Sequence, residues 1–256
     1  MASIANHAMP QASGGAMPNS VNVFEEDYAV LPGLWKYHYS SDARTKYFPL
    51  FYSNLRGGIP LVVGLNPSFI DEMMRNLSSK LFNRENFYSY NGSWISRQDA
   101  LRSADEHLSV IERYKKYFGI YNTIFGGECE FIDLFRFRQT KDVKTALKLP
   151  NDDFANSQIE LCKKVVTLLN PSIILVANAY ASEKFIENGF VGSKTIDDDG
   201  IYRSKKTDAP IFLSGMLTGQ RPETKPARQR LLWHMKYIID KYHIKNYDNK
   251  APVVNL

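Results

Sequence analysis

Four short apolar runs, at 60–63, 129–134, 172–177 and 210–214, constrain this chain more than any other feature. Each is bounded by Gly, Pro, Asn or Asp and is too short for a buried helix, so each reads as a buried strand. Between them the spacing turns helical. Leu101, Ala104, Leu108, Ile111 and Phe118 predict a helix over 97–118. Asn151-Asp152-Asp153 opens another that runs to about 169, with Leu161, Val165 and Leu168 on its inner face and Asn170-Pro171 as its stop. Further helices are expected over 70–77, 180–188 and 226–242. Strands alternating with helices define an α/β fold around a mainly parallel sheet.

In such a sheet, ligands bind beyond the carboxyl ends of the strands. Three ends carry chemistry here. The first strand runs into Gly64-Leu65-Asn66-Pro67-Ser68, the second ends at Asp133, and the last is followed by Gly215-Met216-Leu217-Thr218-Gly219-Gln220-Arg221-Pro222. Gly64 permits close backbone approach and Pro67 stops the strand. Asn66 admits two readings: a cap for the next helix, or a functional amide with one carbonyl oxygen and one NH2 group.

Composition narrows the class. At 44% hydrophobic and 13% aromatic over 256 residues, the chain has material for a large core. No apolar run approaches the roughly 20 residues of a membrane span, and the N-terminus lacks the charged and apolar regions of a signal peptide. Cys129 and Cys162 are too few for a disulfide framework or a four-thiolate cluster, which fits a cytoplasmic location. Residues 1–21 read as a disordered tail and 22–256 as one α/β domain. An aromatic-rich segment over 22–55 is expected to pack on one side of the core. A long polar–aromatic loop spans 78–96, and Asp197-Asp198-Asp199-Gly200 reads as a hairpin turn rather than a cation site. Formal charge is +5, and residues 221–250 hold eight basic and three acidic side chains, an excess equal to the charge of the whole chain. A solvated helix face and a phosphate-binding face both account for that cluster.

The motifs on the strand ends resemble the uracil-DNA glycosylase superfamily. Gly64-Leu65-Asn66-Pro67-Ser68 is similar to the water-positioning motif of its mismatch-specific uracil/thymine branch, Gly-Ile-Asn-Pro-Gly. Ile132-Asp133-Leu134-Phe135-Arg136 resembles the base-reading strand, which usually carries Asn followed by two apolar residues. The segment 170–177 resembles the third strand of that fold, and 213–221 falls where the family places its DNA-intercalating loop. The resemblance covers roughly residues 55–242. It implies a three-layer α/β/α sandwich and an enzyme that flips a nucleotide out of duplex DNA.

On that resemblance, Asn66 would position the attacking water, with Asp71 as a second choice. Gly64, Leu65, Pro67 and Ser68 would line the base site, and one of Phe82, Phe87 or Tyr88 would stack on the base. Met216 or Leu217 would wedge into the vacated stack, while Thr218, Gln220, Arg221, Lys225 and Arg228 (with Arg230 beyond) would contact DNA. Two departures stand out. Asp133 replaces the usual Asn, and an ionised carboxylate only accepts, which suits the exocyclic amino group of cytosine. A protonated Asp133, its carboxyl raised by burial, would instead donate to cytosine N3. Pairing of Asp133 with Arg136 or Arg138 is the purely structural alternative. Excision of plain cytosine would be toxic, so a modified cytosine is expected, such as glucosylated 5-hydroxymethylcytosine of phage DNA. The anti-phage branch of these glycosylases points the same way. The second departure is that no histidine stands in the last loop, so backbone N–H groups or Thr218 would stabilise the leaving base. The implied activity is monofunctional excision leaving an abasic site, by a monomer without cofactor or metal. Uracil/thymine mismatch repair and non-catalytic DNA binding are the alternatives.

Overall fold

The computed structural model describes residues 20–38, 49–67, 97, 100–101, 121–122, 124–137, 153–217 and 222–244. Its centre is a five-stranded sheet built from β3 (Leu61–Gly64), β4 (Glu130–Asp133), β5 (Ile174–Ala177), β6 (Tyr202–Arg203) and β7 (Pro210–Ser214). The order across the sheet is β4-β3-β5-β7-β6; all neighbours are parallel except β6, which runs antiparallel on one edge. A separate antiparallel pair, β1 (Ser20–Asn22) and β2 (Asn54–Arg56), places Ser20 and Val21 in a strand rather than in the expected tail.

Among the described residues, four helices of nine residues or more accompany the strands. Helix α1 (Phe24–His38) starts where the Asn22 side chain accepts the Phe24 N–H at 3.1 Å, and Glu25, Glu26 and Asp27 suit its positive end. Phe24, Asp27, Leu31 and Trp35, spaced by three or four residues, form its buried stripe. Helix α2 (Asp153–Leu169) buries Phe154, Gln158, Ile159, Leu161, Cys162, Val165, Val166 and Leu169. Leu168, expected inside, is 43% exposed, because Val166 and Leu169 take the inward positions of that turn. Helix α3 (Ala179–Glu187) is capped by Asn178, and α4 (Lys225–Lys241) by Thr224. Asn170 at φ 42 closes α2, a conformation Asn tolerates at helix ends.

Apolar residues cover both faces of the sheet, as parallel strands require. Val63, Ile132, Val176 and Ile211 join Leu31, Trp35, Cys162 and Phe185 in one cluster. Val62, Leu175 and Phe212 join Tyr121, Phe125, Met235 and Ile238 in the other. Each such aliphatic side chain stabilises the fold by about 1.5–3 kcal/mol through removal from water. The mixed α/β architecture with a mostly parallel sheet is thus the one the apolar runs predict, with boundaries moved by one or two residues. No helix among the described residues is long and apolar enough to cross a membrane.

Candidate active site at the carboxyl edge of the sheet

The strand registers bring the chemistry-bearing ends level. Gly64 pairs with Asp133, Val63 with Val176, and Ala177 with Ser214, so Asp133, Gly64, Ala177 and Ser214 form one row along the carboxyl edge. The chain order reverses direction between β3 and β5, which makes this edge the topological switch point where open α/β sheets bind ligands.

Gly64 and Asp133 are fitted to each other. A Cβ on Gly64 would lie 2.4 Å from Asp133 Oδ1 and 2.7 Å from Phe131 Cζ. The strand ends stay zipped beyond this point: Leu134 N–H donates to Gly64 O at 3.0 Å and Phe135 N–H to Leu65 O at 2.9 Å. The Asp133 carboxyl group is therefore held against the floor left open by the glycine.

Asp133 is 5% exposed and is contacted from the 49–53 segment. The Tyr52 hydroxyl lies 3.3 Å from Asp133 Oδ2 and accepts the Asp133 backbone N–H at 2.7 Å. Burial, and next the charge of Asp133, hold the Tyr52 phenol well above its ordinary range, so it stays protonated. The Arg136 guanidinium stacks over the Tyr52 ring at 4.3 Å and donates to the backbone carbonyl of Asp133. Its ion pair is with Asp27 at 3.3 Å, not with the Asp133 carboxylate that sequence alone offered. Arg138 lies outside the described residues. Asp27 also accepts the Tyr52 N–H at 2.9 Å. Burial raises the Asp27 carboxyl, against the pull of Arg136 and that N–H. Burial works against the charge of Arg136, but Asp27, Tyr52 and Cys162 together more than offset it and hold the guanidinium protonated.

Asn66 follows two residues after Gly64. Its Nδ2 donates to Pro67 O at 3.1 Å and Phe137 O at 3.3 Å. Because the amide is planar, anchoring the NH2 group turns the carbonyl oxygen away from those two carbonyls. Asn66 is half-buried and Pro67 buried, while Leu65 packs on the first apolar cluster. Ser68, Asp71, Phe82, Phe87 and Tyr88 lie outside the described residues.

The loop after β7 is latched by Glu223. Gly215 N–H donates to Glu223 Oε1 at 3.0 Å, Glu223 N–H donates to Met216 O at 2.6 Å, and a Cβ on Gly215 would lie 2.2 Å from that carboxylate. The Gly215 N–H is thereby engaged and does not serve a leaving base. Met216 is 37% exposed, whereas Leu217 is 2% exposed within the second apolar cluster. Leu217 is therefore a core residue and not a surface wedge; only Met216 of the pair reaches solvent. Thr218, Gln220 and Arg221 lie outside the described residues. On α4, Lys225 and Arg230 are exposed and Arg228 is half-buried.

Other groups are committed elsewhere. Burial pushes both the Cys129 and Cys162 thiols up to about 12, which removes them as nucleophiles. Asp197 Oδ1 accepts the Asp199 and Ile201 N–H groups and Asp197 Oδ2 pairs with Arg203, while Asp199 binds Lys241 and Tyr242. The 197–200 segment is a turn closed on its own carboxylates, with Gly200 at φ 74. His234 binds the Asp199 carbonyl at 2.7 Å. Among the described residues no three His, Cys, Asp or Glu side chains gather as a metal site.

Sequence reasoning missed Tyr52, Asp27 and the placement of Arg136. Tyr52 stands 81 positions from Asp133 in an aromatic-rich segment with poor periodicity, so nothing local marked it. Comparison with known proteins finds no matching family model and no matching curated protein.

Proposed function

We propose that this chain is a monofunctional DNA glycosylase that flips and hydrolytically excises a modified cytosine-type base, leaving an abasic site. The observation that carries the reading is the buried Asp133 carboxylate facing Gly64, two residues from an anchored Asn66, at the switch point of a parallel sheet. The three-layer glycosylase-like architecture, the DNA partner, the monomeric state and the cytoplasmic role in defence against phage belong to the same proposal.

In this reading, cleavage of the N-glycosidic bond builds positive charge on the sugar and negative charge on the departing base. In this mechanism the Asn66 amide, whose nitrogen is held by Pro67 O and Phe137 O, orients water toward the sugar carbon. An amide is a poor base, so turnover is slow. Asp133 reads the base edge. Met216 fills the vacated stack, and Lys225 and Arg228 flank the phosphate backbone.

The test is incubation with hypermodified phage DNA and with synthetic duplexes carrying uracil, thymine mismatches, cytosine and 5-hydroxymethylcytosine derivatives, scored for alkali-labile sites. Cleavage confined to modified cytosine is the expected result. Cleavage of uracil alone would replace the substrate. Salt-sensitive binding without cleavage on every duplex would make the chain a binding protein.

A further inference from the structure

We propose that the outer face of α4 is a second nucleic-acid contact, a platform on which Trp233 stacks an unpaired base of a single strand leaving the carboxyl edge of the sheet. This surface lies apart from Asp133 and goes beyond the glycosylase reading, because it needs a nucleic-acid strand but no excision.

Trp233 is 70% exposed, the most exposed large apolar side chain among the described residues, and Tyr237 is 44% exposed. Four residues apart on one helix, they share a face. Their ring centroids lie 6.0 Å apart, with planes within 9° of parallel. Lys241, a further four residues on, sets its Nζ 5.8 Å from the Tyr237 centroid and is itself anchored by Asp199. The Tyr237 ring is thereby held by a fixed cation, and Trp233 stacks on it with most of its indole in water. The core does not need this pair, since α4 packs on the sheet through the buried Met235 and Ile238.

Charge identifies the partner. Helix α4 begins at the carboxyl edge, where Glu223 binds Gly215 and Met216 at the end of β7. Arg228 and Arg230 stand in its first two turns. Arg228 Nε is buried without a hydrogen-bond partner, Arg230 is exposed, and neither guanidinium has an ion pair among the described residues. From Arg228 to Tyr237 the helix rises about 14 Å, the length of about four stacked nucleotides. Cations followed by an open aromatic face suit a single strand, with phosphates on the guanidinium groups and a base on the ring. A duplex keeps its base faces stacked and has none to offer. A second copy of the chain fits less well. Two rings of roughly 150–250 Å² each, partly covered, fall short of the about 800 Å² per partner that a stable interface buries. A bilayer would gain only the same two rings, since Met235 and Ile238 belong to the core and Arg230, Lys236, Asp240 and Lys241 are exposed around the pair.

The test uses the full chain and short fluorescein-labelled probes at low salt, read by anisotropy: oligo-dT, an abasic strand of the same length, and a fully paired duplex. Trp233→Ala is expected to weaken oligo-dT binding by about tenfold or more, the loss of one base–ring stack. Trp233→Phe, which keeps a ring, should weaken it less, and neither change should alter binding of the abasic strand or the duplex. Arg230→Gln should weaken oligo-dT and the abasic strand alike and reduce their salt dependence. Thermal melts check that these variants, all at exposed positions, remain folded. Oligo-dT binding that ignores Trp233→Ala overturns the proposal, as does a loss shared equally by the abasic strand. A dimer in sedimentation that Trp233→Ala dissolves, without an effect on oligo-dT, would make the face an interface between copies and overturn it too. Retention on phosphatidylserine vesicles that depends on Trp233, again without an effect on oligo-dT, would do the same. Excision assays on the same samples keep the two ideas apart. No excision of any base, with the Trp233 effect intact, sinks the glycosylase reading alone. Excision with oligo-dT binding indifferent to Trp233 sinks this surface alone.

Discussion

Gly64 and Asp133 stand opposite each other at the ends of two neighbouring parallel strands, and the carboxyl oxygen of Asp133 occupies the space that a Cβ on Gly64 would need. The glycine is thus explained by a neighbour 69 positions away and not by its own backbone, whose φ is not in the left-handed region. Gly64→Ala is expected to displace the carboxylate or the Phe131 ring. The cost is about 1–3 kcal/mol of stability, as for other overpacked cores. Urea denaturation measures it, and excision should fall by more than the small loss of folded fraction accounts for.

If Asp133 reads the base, Asp133→Asn supplies an amide that both donates and accepts. The ratio of uracil to modified-cytosine excision should then rise by about tenfold or more, the equivalent of one hydrogen bond exchanged. An unchanged ratio, measured on paired duplexes, would remove Asp133 from base recognition.

Asn66→Ala removes the side-chain amide together with its hydrogen bonds to Pro67 and Phe137. Excision under single-turnover conditions is expected to drop by roughly a hundredfold or more, as for groups that position the attacking water. DNA affinity, read by fluorescence anisotropy, should change little. Equal losses in affinity and rate would point to a collapsed loop instead.

Met216 and Leu217 are neighbours with opposite surroundings. Leu217→Ala should cost about 2–5 kcal/mol by opening a cavity in the second apolar cluster. Met216→Ala should leave stability within about 0.5 kcal/mol but weaken binding to duplexes that carry a flippable base. The reverse pattern in chemical denaturation and binding would contradict the placement of this loop.

Asp199 ties the 197–203 turn to the end of α4. Hydrogen bonds from Lys241, and then from Tyr242, hold its carboxyl below the usual range. A group depressed in the folded state stabilises above its unfolded pKa and loses that contribution as pH falls through the lower folded value. Asp199→Asn should therefore lower the melting temperature at pH 7, and the difference should shrink progressively as pH falls below the ordinary carboxylate range. A constant difference across that range would show that the carboxylate's charge is not what holds the turn.

Much of the fold was legible because it depends on local chemistry. The apolar runs over 60–63, 129–134, 172–177 and 210–214 each became a strand of the central sheet, and Asn170-Pro171 ended a helix where the sequence placed its stop. Strand ends carrying Gly64, Asn66 and Asp133 were also visible, since a run that stops in turn residues announces its own edge. The errors were those of facing. Leu168 lost its inward place to Val166 and Leu169, and Leu217 turned into the core while Met216 turned out, because neighbouring positions at an element's end differ only in direction.

What the sequence determined by itself, then, was the α/β class and the identity of the residues at the strand ends, because periodicity and turn chemistry act over a few residues. What only the tertiary structure decided was their company. Register set Gly64 against Asp133, and the return of the 49–53 segment put Tyr52 on its carboxyl group. It also gave Arg136 to Asp27 rather than to Asp133. Such pairings join residues tens of positions apart, and they are settled by packing and by the need of each buried polar group for a partner.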